Sequence, residues 1–417
     1  MRKTIYGMLY FAILLSFVDN IIPIYAYYTW QFLIVLVFFA IILLNRNRNK
    51  AQSNLAVKFM WIWVFYSCLS LFWTGEKLDY FLPNFRLLLL GAMITFTFFK
   101  VVNTKQILKN ILICVFIAVI FHNILGWYEY FTGNYLFISD SYKVLYQSLR
   151  LPTSTFYNTN DFSTFLTLSI FFILLLKEIF EKRYMKLISD FVILSSVLLV
   201  YLAGSRANLI GSLLGVGLVF IYKVLVRRIT VKELLIVIFG LFIIVISFGV
   251  WINVNQANFQ NLDFSNPTSD LTRINLIKNG LYFLTKSFGL GIGVGNIEYM
   301  MQFYAIYPTF GLLPIHNWWI EILVTSGFLI FIFYLYLYIK MYIRSFQMLY
   351  KKSNNEVKSF KLNLIFLGLL SAFIFCSMST SSLFTRGWFW MLHSLIYLIS
   401  YNITVEKGGE DENLFRK

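Results

Sequence analysis

The sequence predicts an all-α integral membrane protein with about twelve transmembrane helices. Three observations predict it. Hydrophobic residues fill 59% of the 417 positions and charged residues only 13%, with a mean hydropathy of +0.72, whereas a water-soluble chain has far more charge. Apolar runs long enough to span a bilayer, about 20 residues, recur from end to end. The basic residues, finally, collect in alternate connections between those runs.

Taken in order, the runs pair off between basic connections. Spans 4–18 and 22–44 precede Arg46, Arg48 and Lys50. The Met1-Arg-Lys start resembles a signal peptide, but no small-residue cleavage site follows and further spans come directly after, so it reads as an uncleaved first helix. Spans 57–73 and 80–99 precede Lys100, Lys105 and Lys109, and spans 107–127 and 161–176 precede Lys177, Lys182, Arg183 and Lys186. Spans 187–203 and 207–222 precede Lys223, Arg227, Arg228 and Lys232. Spans 234–251 and 317–339 precede Lys340, Arg344, Lys351 and Lys352, and spans 362–382 and 387–402 complete the set.

An even number of spans puts both termini on one side, and the positive excess marks that side as cytoplasmic. Most of the 35 Lys and Arg residues lie there, while the opposite side is near neutral. The net charge of +16 is therefore a topology signal, and nucleic acid is excluded as a partner. Residues 1–402 read as a single polytopic membrane domain and 403–417 as a disordered cytoplasmic tail. Cys68, Cys114 and Cys376 all fall in apolar spans with neither disulfide nor metal spacing, and read as ordinary core residues.

Two extracytoplasmic segments, 128–160 and 252–316, exceed ordinary connection length, the second lying between helices 9 and 10. Long polar and aromatic outer loops point to work done on that face. Within the second, 271–288 reads as an amphipathic helix with Ile274, Ile277, Leu281, Leu284 and Phe288 on one stripe, Arg273 at its edge and Asp270 as N-cap. A cation in a first helical turn opposes the helix dipole and needs an anion. Asp270 could supply it, or a phosphate bound at the helix N-terminus. The run Gly289-Leu-Gly-Ile-Gly-Val-Gly-Asn296 has no preceding strand and is no dinucleotide fingerprint; its alternating glycines serve tight backbone turns at the membrane surface.

Arg206 is pinned between one span and the next in Ala203-Gly-Ser-Arg206, and its planar fork suits phosphate oxygens. Arg86, Arg150 and Arg386 either join such a site or snorkel to lipid headgroups. His122 and His393 lie within apolar spans and read as hydrogen-bonded core residues, whereas His316 stands at the outer boundary, where a neutral imidazole can take a proton from a hydroxyl. Glu321, one turn deeper, orients a partner, acts as the base itself or pairs with an arginine. Outer-side carboxylates are scattered with no Asp-x-Asp, so no metal and no cofactor is expected.

Together these pieces resemble the O-antigen ligase/polymerase family. Ser205-Arg206 stands at a helix start, Arg273 opens a segment ending in a Gly-x-Gly run, and His316-Asn317 begins a helix with Gly327 a few turns on. Phe156-Tyr-Asn-Thr-Asn160 resembles the family's stretch before its middle span. The resemblance covers roughly 150–327. It implies a GT-C-like, inverting, metal-independent membrane glycosyltransferase of the bacterial cytoplasmic (inner) membrane. Such an enzyme moves a glycan from an undecaprenyl-diphosphate carrier to an acceptor hydroxyl on the outer face.

By the same resemblance, Arg206 and Arg273 bind the diphosphate and His316 is catalytic. Arg86, Arg150, Asn160, Asn317, Glu321 and Arg386 are further substrate-binding candidates. The partners implied are the lipid-linked donor, a glycan acceptor, membrane lipids and, for a polymerase, a chain-length regulator. The expected function is polymerisation of a surface polysaccharide; the alternatives are an O-antigen ligase acting on a lipid A core and a flippase of lipid-linked oligosaccharide. A flippase would bring midplane charges, repeat symmetry and short outer loops, none of which the sequence shows.

Overall fold

The computed structural model describes residues 2–18, 25–44, 54–74, 78–137, 147–156, 158–226, 269–350 and 356–404. Among the described residues every regular element is a helix. In chain order these are α1 (Arg2–Phe17), α2 (Tyr25–Leu44), α3 (Leu55–Thr74), α4 (Leu78–Val101), α5 (Lys105–Thr132), α6 (Thr159–Ile179) and α7 (Arg183–Leu202). There follow α8 (Arg206–Val226), α9 (Ser269–Lys286), α10 (Asn296–Phe303), α11 (Trp318–Tyr350), α12 (Glu356–Cys376) and α13 (Gly387–Thr404).

Six of these, α3 to α7 and α11, are long and apolar enough to cross a membrane, and α1, α2, α8 and α12 carry shorter apolar stretches. The expected span 234–251 lies outside the described residues, as does most of the tail. Two helices overrun their expected ends the furthest. α5 continues to Thr132, where Gly133 in the left-handed region (φ 69°) returns its N–H to Glu129, and α11 continues to Tyr350.

Helix α6 is the axis of the bundle. It is buried on every face, as an all-round apolar helix must be, and packs against α5, α7, α8 and α12. Helices α8 and α12 approach through Gly211 and Gly215 on one side and Gly368 on the other, the small-residue contact that lets helix backbones close where apolar burial alone gives no drive. His122 hydrogen-bonds Ser154 Oγ and the Phe17 carbonyl, both at 2.8 Å. His393 meets Tyr334 at 3.2 Å inside a cluster of tryptophans. Both are the core histidines the sequence implied. Cys114 and Cys376 are buried, but Cys68 is exposed on α3 and is no core residue.

Around α9 the expected stripe is split between two faces. Leu284 is buried, as are Leu276, Phe283, Thr272, Asn275 and Asn279, and Ile277 packs partly buried against the Leu276 and Phe283 cluster, while Ile274, Leu281 and Phe288 are exposed, Phe288 at 93%. The reason is polar. Asn279 Oδ1 accepts the backbone N–H groups of Ile306 and Tyr307, its Nδ2 donates to the Tyr307 carbonyl, and Asn275 donates to Pro308. Satisfying that loop's backbone takes part of the inner face, and Ile274, Leu281 and Phe288 are left outward, as on a helix lying at a lipid surface. The helix also includes Asp270, which the sequence placed at its N-cap.

The alternating glycines do more than turn the chain. Gly289, Gly291, Gly293 and Gly295 all have positive φ, and the run lies against a break in α11 at Gly327 (φ 72°, ψ 179°). The break frees α11 carbonyls, which the run takes up: Ile292 N–H donates to Val324 O and Gly293 N–H to Thr325 O, both at 2.9 Å, while Phe328 N–H donates to Gly289 O at 2.9 Å. Helix α3 completes the joint from the other side. Trp63 Nε1 donates to Ser326 Oγ (2.8 Å), the Tyr66 hydroxyl to Leu290 O (2.7 Å) and Trp73 Nε1 to Gly291 O (3.0 Å).

A Cβ on Gly327 would fall inside van der Waals contact with the Leu290 carbonyl. Gly327→Ala is therefore expected to lose more than the ~1–2 kcal/mol that left-handed backbone alone imposes on a non-glycine residue. The melting temperature in detergent checks this. Gly217→Ala, whose Cβ meets nothing within 4 Å, should leave it unchanged.

Candidate active site

One end of the bundle gathers the starts of α6, α8, α9 and α11 with the α12–α13 connection, and the residues singled out in the sequence are distributed around it. The start of α6 supplies the centre. Asn158 caps the helix by accepting the Asp161 N–H at 2.8 Å, and Asp161 itself is 1% exposed. Its carboxylate pairs with Arg386 at 2.8 Å and accepts the Ser381 backbone N–H and hydroxyl at 3.4 and 3.3 Å. Arg386 also donates to Ser381 Oγ at 3.1 Å. A buried carboxylate needs such a partner, because desolvation penalises it heavily when alone.

A second set of polar contacts fixes the turn that carries Arg206. Gly204 turns the chain with φ 72°, Ser205 Oγ donates to Asn160 Oδ1 at 2.7 Å, and Asn208 Nδ2 donates to Ser205 Oγ and Ser379 Oγ, both at 2.8 Å. Thr164 donates to Asn208 Oδ1 at 2.9 Å. Asn160 thus holds the turn through its side chain, and Arg206 is left exposed at the first position of α8. Backbone N–H groups at a helix start favour anions, and a guanidinium beside them adds to that preference.

His316 occupies the turn into α11 with φ 57°, in the left-handed region that histidine tolerates better than most residues. Next to it Asn317 caps α11, its Oδ1 accepting Trp319 and Ile320 N–H at 3.1 and 3.2 Å. Trp318 N–H ties the same turn to the Ser377 carbonyl at 2.9 Å. The imidazole lies against the Ser379 and Thr380 carbonyls and within electrostatic reach of Arg273 and Asp161. Among the described residues its Nδ1 is buried with no hydrogen-bond partner. Burial first, then the Arg273 cation, push the imidazole down to about 4 against the opposing pull of Asp161 and the carbonyls. At neutral pH the ring is uncharged.

Glu321, 5% exposed, receives the Ser382 hydroxyl on Oε1 and lies within electrostatic reach of Glu298 and Arg386. Arg86 is half-buried on α4, two residues past Asn84. Arg150 is exposed at the end of a short turn, and among the described residues its side chain forms no hydrogen bond or ion pair with this cluster. The structure thus joins Asn160 to the Arg206 turn, Arg273 to His316, and Arg386 to Asp161, and leaves Arg150 apart.

Asp161, Ser381, Asn208 and Ser379 are additions that sequence reasoning missed. Asp161 directly follows Asn160, and that adjacency was its one local signal; its partner lies at the far end of the chain. Asp161→Asn is expected to destabilise the protein by up to about 3 kcal/mol, because it leaves the partly buried Arg386 guanidinium without the carboxylate it pairs with. Thermal unfolding of Asp161→Asn beside the double variant Asp161→Asn/Arg386→Met checks this: the double change should recover much of the loss.

Comparison with known proteins bears on the same residues. Residues 191–335 match the family described as O-antigen ligase, a stretch holding Arg206, Arg273, His316, Asn317 and Glu321. The chain is also 28% identical over 388 residues to the teichuronic acid biosynthesis protein TuaE of Bacillus subtilis (strain 168), covering 89% of this chain and 77% of that protein.

Proposed function

We propose, from a resemblance to the O-antigen ligase/polymerase family that both matches support, that this chain polymerises a surface polysaccharide. It transfers a glycan from undecaprenyl diphosphate to a hydroxyl of an acceptor lipid-linked repeat unit. A role in surface polysaccharide biosynthesis is common to the two matches; the reaction is our reading. The observation that carries it is the uncharged His316, its Nδ1 without a hydrogen-bond partner among the described residues, within electrostatic reach of Arg273.

In this reading the acceptor oxygen attacks the anomeric carbon from the face opposite the diphosphate. The new C–O bond forms as the bond to the diphosphate oxygen breaks, so the configuration inverts. His316 Nδ1 takes the hydroxyl proton, contributing about 10²–10⁴-fold. The electron pair leaves with undecaprenyl diphosphate, whose charge Arg206 and Arg273 stabilise. Diphosphate bound at Arg273 offsets the cation that depresses His316, so donor loading strengthens the base at the moment it is needed.

The ligase is the second reading, favoured by the description of the family that 191–335 matches. The glycolipids of cells lacking the chain separate the two. Single repeat units left on undecaprenyl diphosphate at the outer face support the polymerase. Long chains left on the carrier mean a ligase, and units retained inside the cell mean a flippase.

A further inference from the structure

The glycine run docks part-way down two long apolar helices and not at their ends. Its partners on α11 are Val324, Thr325 and Phe328. Measured from Trp318, where that helix starts, they lie about 9–15 Å along its axis. On α3 the Tyr66 hydroxyl donates to Leu290 O, and Tyr66 lies about 12 Å along the axis from the helix end at Thr74. Half of a bilayer's hydrocarbon core is about 15 Å thick. The two helices thus independently put the run at one depth inside a leaflet.

Helix α9 descends to that depth. Near its start, Arg273 lies within electrostatic reach of His316 at the entry to α11. Midway, Gly280 packs against Ile315 and Val324, which a Cβ would meet at 2.9 and 3.1 Å. Past its end, Gly289 O takes the Phe328 N–H. The exposed residues Ile274, Leu281, Phe288 and Leu290 follow this slope and run on into Phe328 and Leu329 of α11, which are exposed too. Lys286, near the deep end, carries its ammonium over the Tyr282 ring at 5.3 Å. That is one turn back toward the shallow end, as a lysine does when its stem is in hydrocarbon.

Irregular backbone inside a bilayer must be satisfied by the protein itself, and this run is. From Ser287 to Gly293 every N–H has an acceptor: a carbonyl for each except Gly291, which donates to Ser287 Oγ at 3.1 Å. The carbonyls of Gly289, Leu290, Gly291 and Ile292 accept from Phe328, Tyr66, Trp73 and Asn296. A loop in water has no need of such closure, since water supplies the partners. We propose that α9 and the glycine run form a re-entrant segment, dipping into the leaflet on the His316 side with Ile274, Leu281, Phe288 and Leu290 against lipid hydrocarbon. Arg273 is thereby held at the shallow end, level with the headgroups. This immersion does not depend on which reaction the site performs.

The test uses the full chain in phospholipid nanodiscs with a nitroxide on one cysteine at a time. Native Cys68, exposed on α3, is the lipid reference, while Cys114 and Cys376 are buried and take no label. In a Cys68→Ser background the label is moved to Ile274→Cys, Leu281→Cys and Phe288→Cys, with Asn134→Cys, exposed just after α5, as the water reference. Power-saturation EPR compares collisions with oxygen, which enters hydrocarbon, and with a water-soluble nickel chelate. The ratio of oxygen to nickel accessibility should rise from Ile274 through Leu281 to Phe288, where it should match Cys68. A ratio at Phe288 equal to that at Asn134 means a helix held in water above the membrane. Protection there from both reagents means a face covered by protein. Either result overturns the proposal. Leu290 is exposed as well, so Leu290→Cys takes the place of Phe288→Cys if that variant does not fold, judged by its melting temperature in detergent.

Discussion

Replacing His316 by alanine is expected to lower glycan transfer by about two to four orders of magnitude while undecaprenyl diphosphate still binds. The measurement is single-turnover transfer in nanodiscs, with donor binding followed separately. Loss of rate with binding retained identifies a group that acts on the proton; loss of both would make His316 a structural residue of the turn. The pH behaviour gives a second, independent signature. Burial and Arg273 hold the imidazole down to about 4, so the folded protein keeps it neutral where an unfolded chain, near 6.5, takes up a proton. Between those values the unfolded state binds more protons, and stability falls as pH is lowered through that window. His316→Ala should remove that part of the acid destabilisation. An acid melting profile identical in wild type and variant would show that the ring is not held neutral.

Arg273→Ala is the second large effect, with transfer expected to fall by about 10²–10³-fold, as when one stabiliser of developing charge is lost. Lysine should restore only part, since it offers a point charge where the guanidinium offers a planar fork. Arg206→Ala should behave alike, with a greater share of its loss in donor affinity because Arg206 is exposed at a helix start rather than set against the imidazole. Arg273 has a further handle. It lowers His316, so Arg273→Gln should move the midpoint of diethyl pyrocarbonate labelling of His316 up from about 4 toward the ordinary histidine value. A midpoint that does not move would separate the two residues and leave the diphosphate role of Arg273 standing alone.

Much of this arrangement was legible before any coordinates. Apolar runs located the spans because bilayer thickness fixes helix length, and Ser205-Arg206, Arg273 and His316-Asn317 announced themselves by standing at helix starts. What stayed hidden depended on partners remote in sequence. The Asp161 carboxylate had no meaning until Arg386 stood beside it. Periodicity marked the stripe of α9 as apolar but does not say whether lipid or protein covers it, and the structure exposes Ile274, Leu281 and Phe288 while it buries Leu284. Asn279, a polar residue that buried itself to satisfy the 306–307 backbone, decided that question. The glycine run showed where the chain turns, but its docking on Gly327 needed the break in α11, which Thr325-Ser326-Gly327 alone does not announce within an apolar span.

That docking also sets an order of assembly. Trp63, Tyr66 and Trp73 emerge from the ribosome more than two hundred residues before the groups they bond: Trp63 and Ser326 lie 263 positions apart, Tyr66 and Leu290 224, and Trp73 and Gly291 218. Contacts of such separation form late, after loop-closure entropy has been met. Until the glycine run and α11 have been synthesised and inserted, α3 lacks the acceptors for these indole and phenol groups. The joint between α3, the glycine run and α11 therefore closes only when the C-terminal third of the chain arrives.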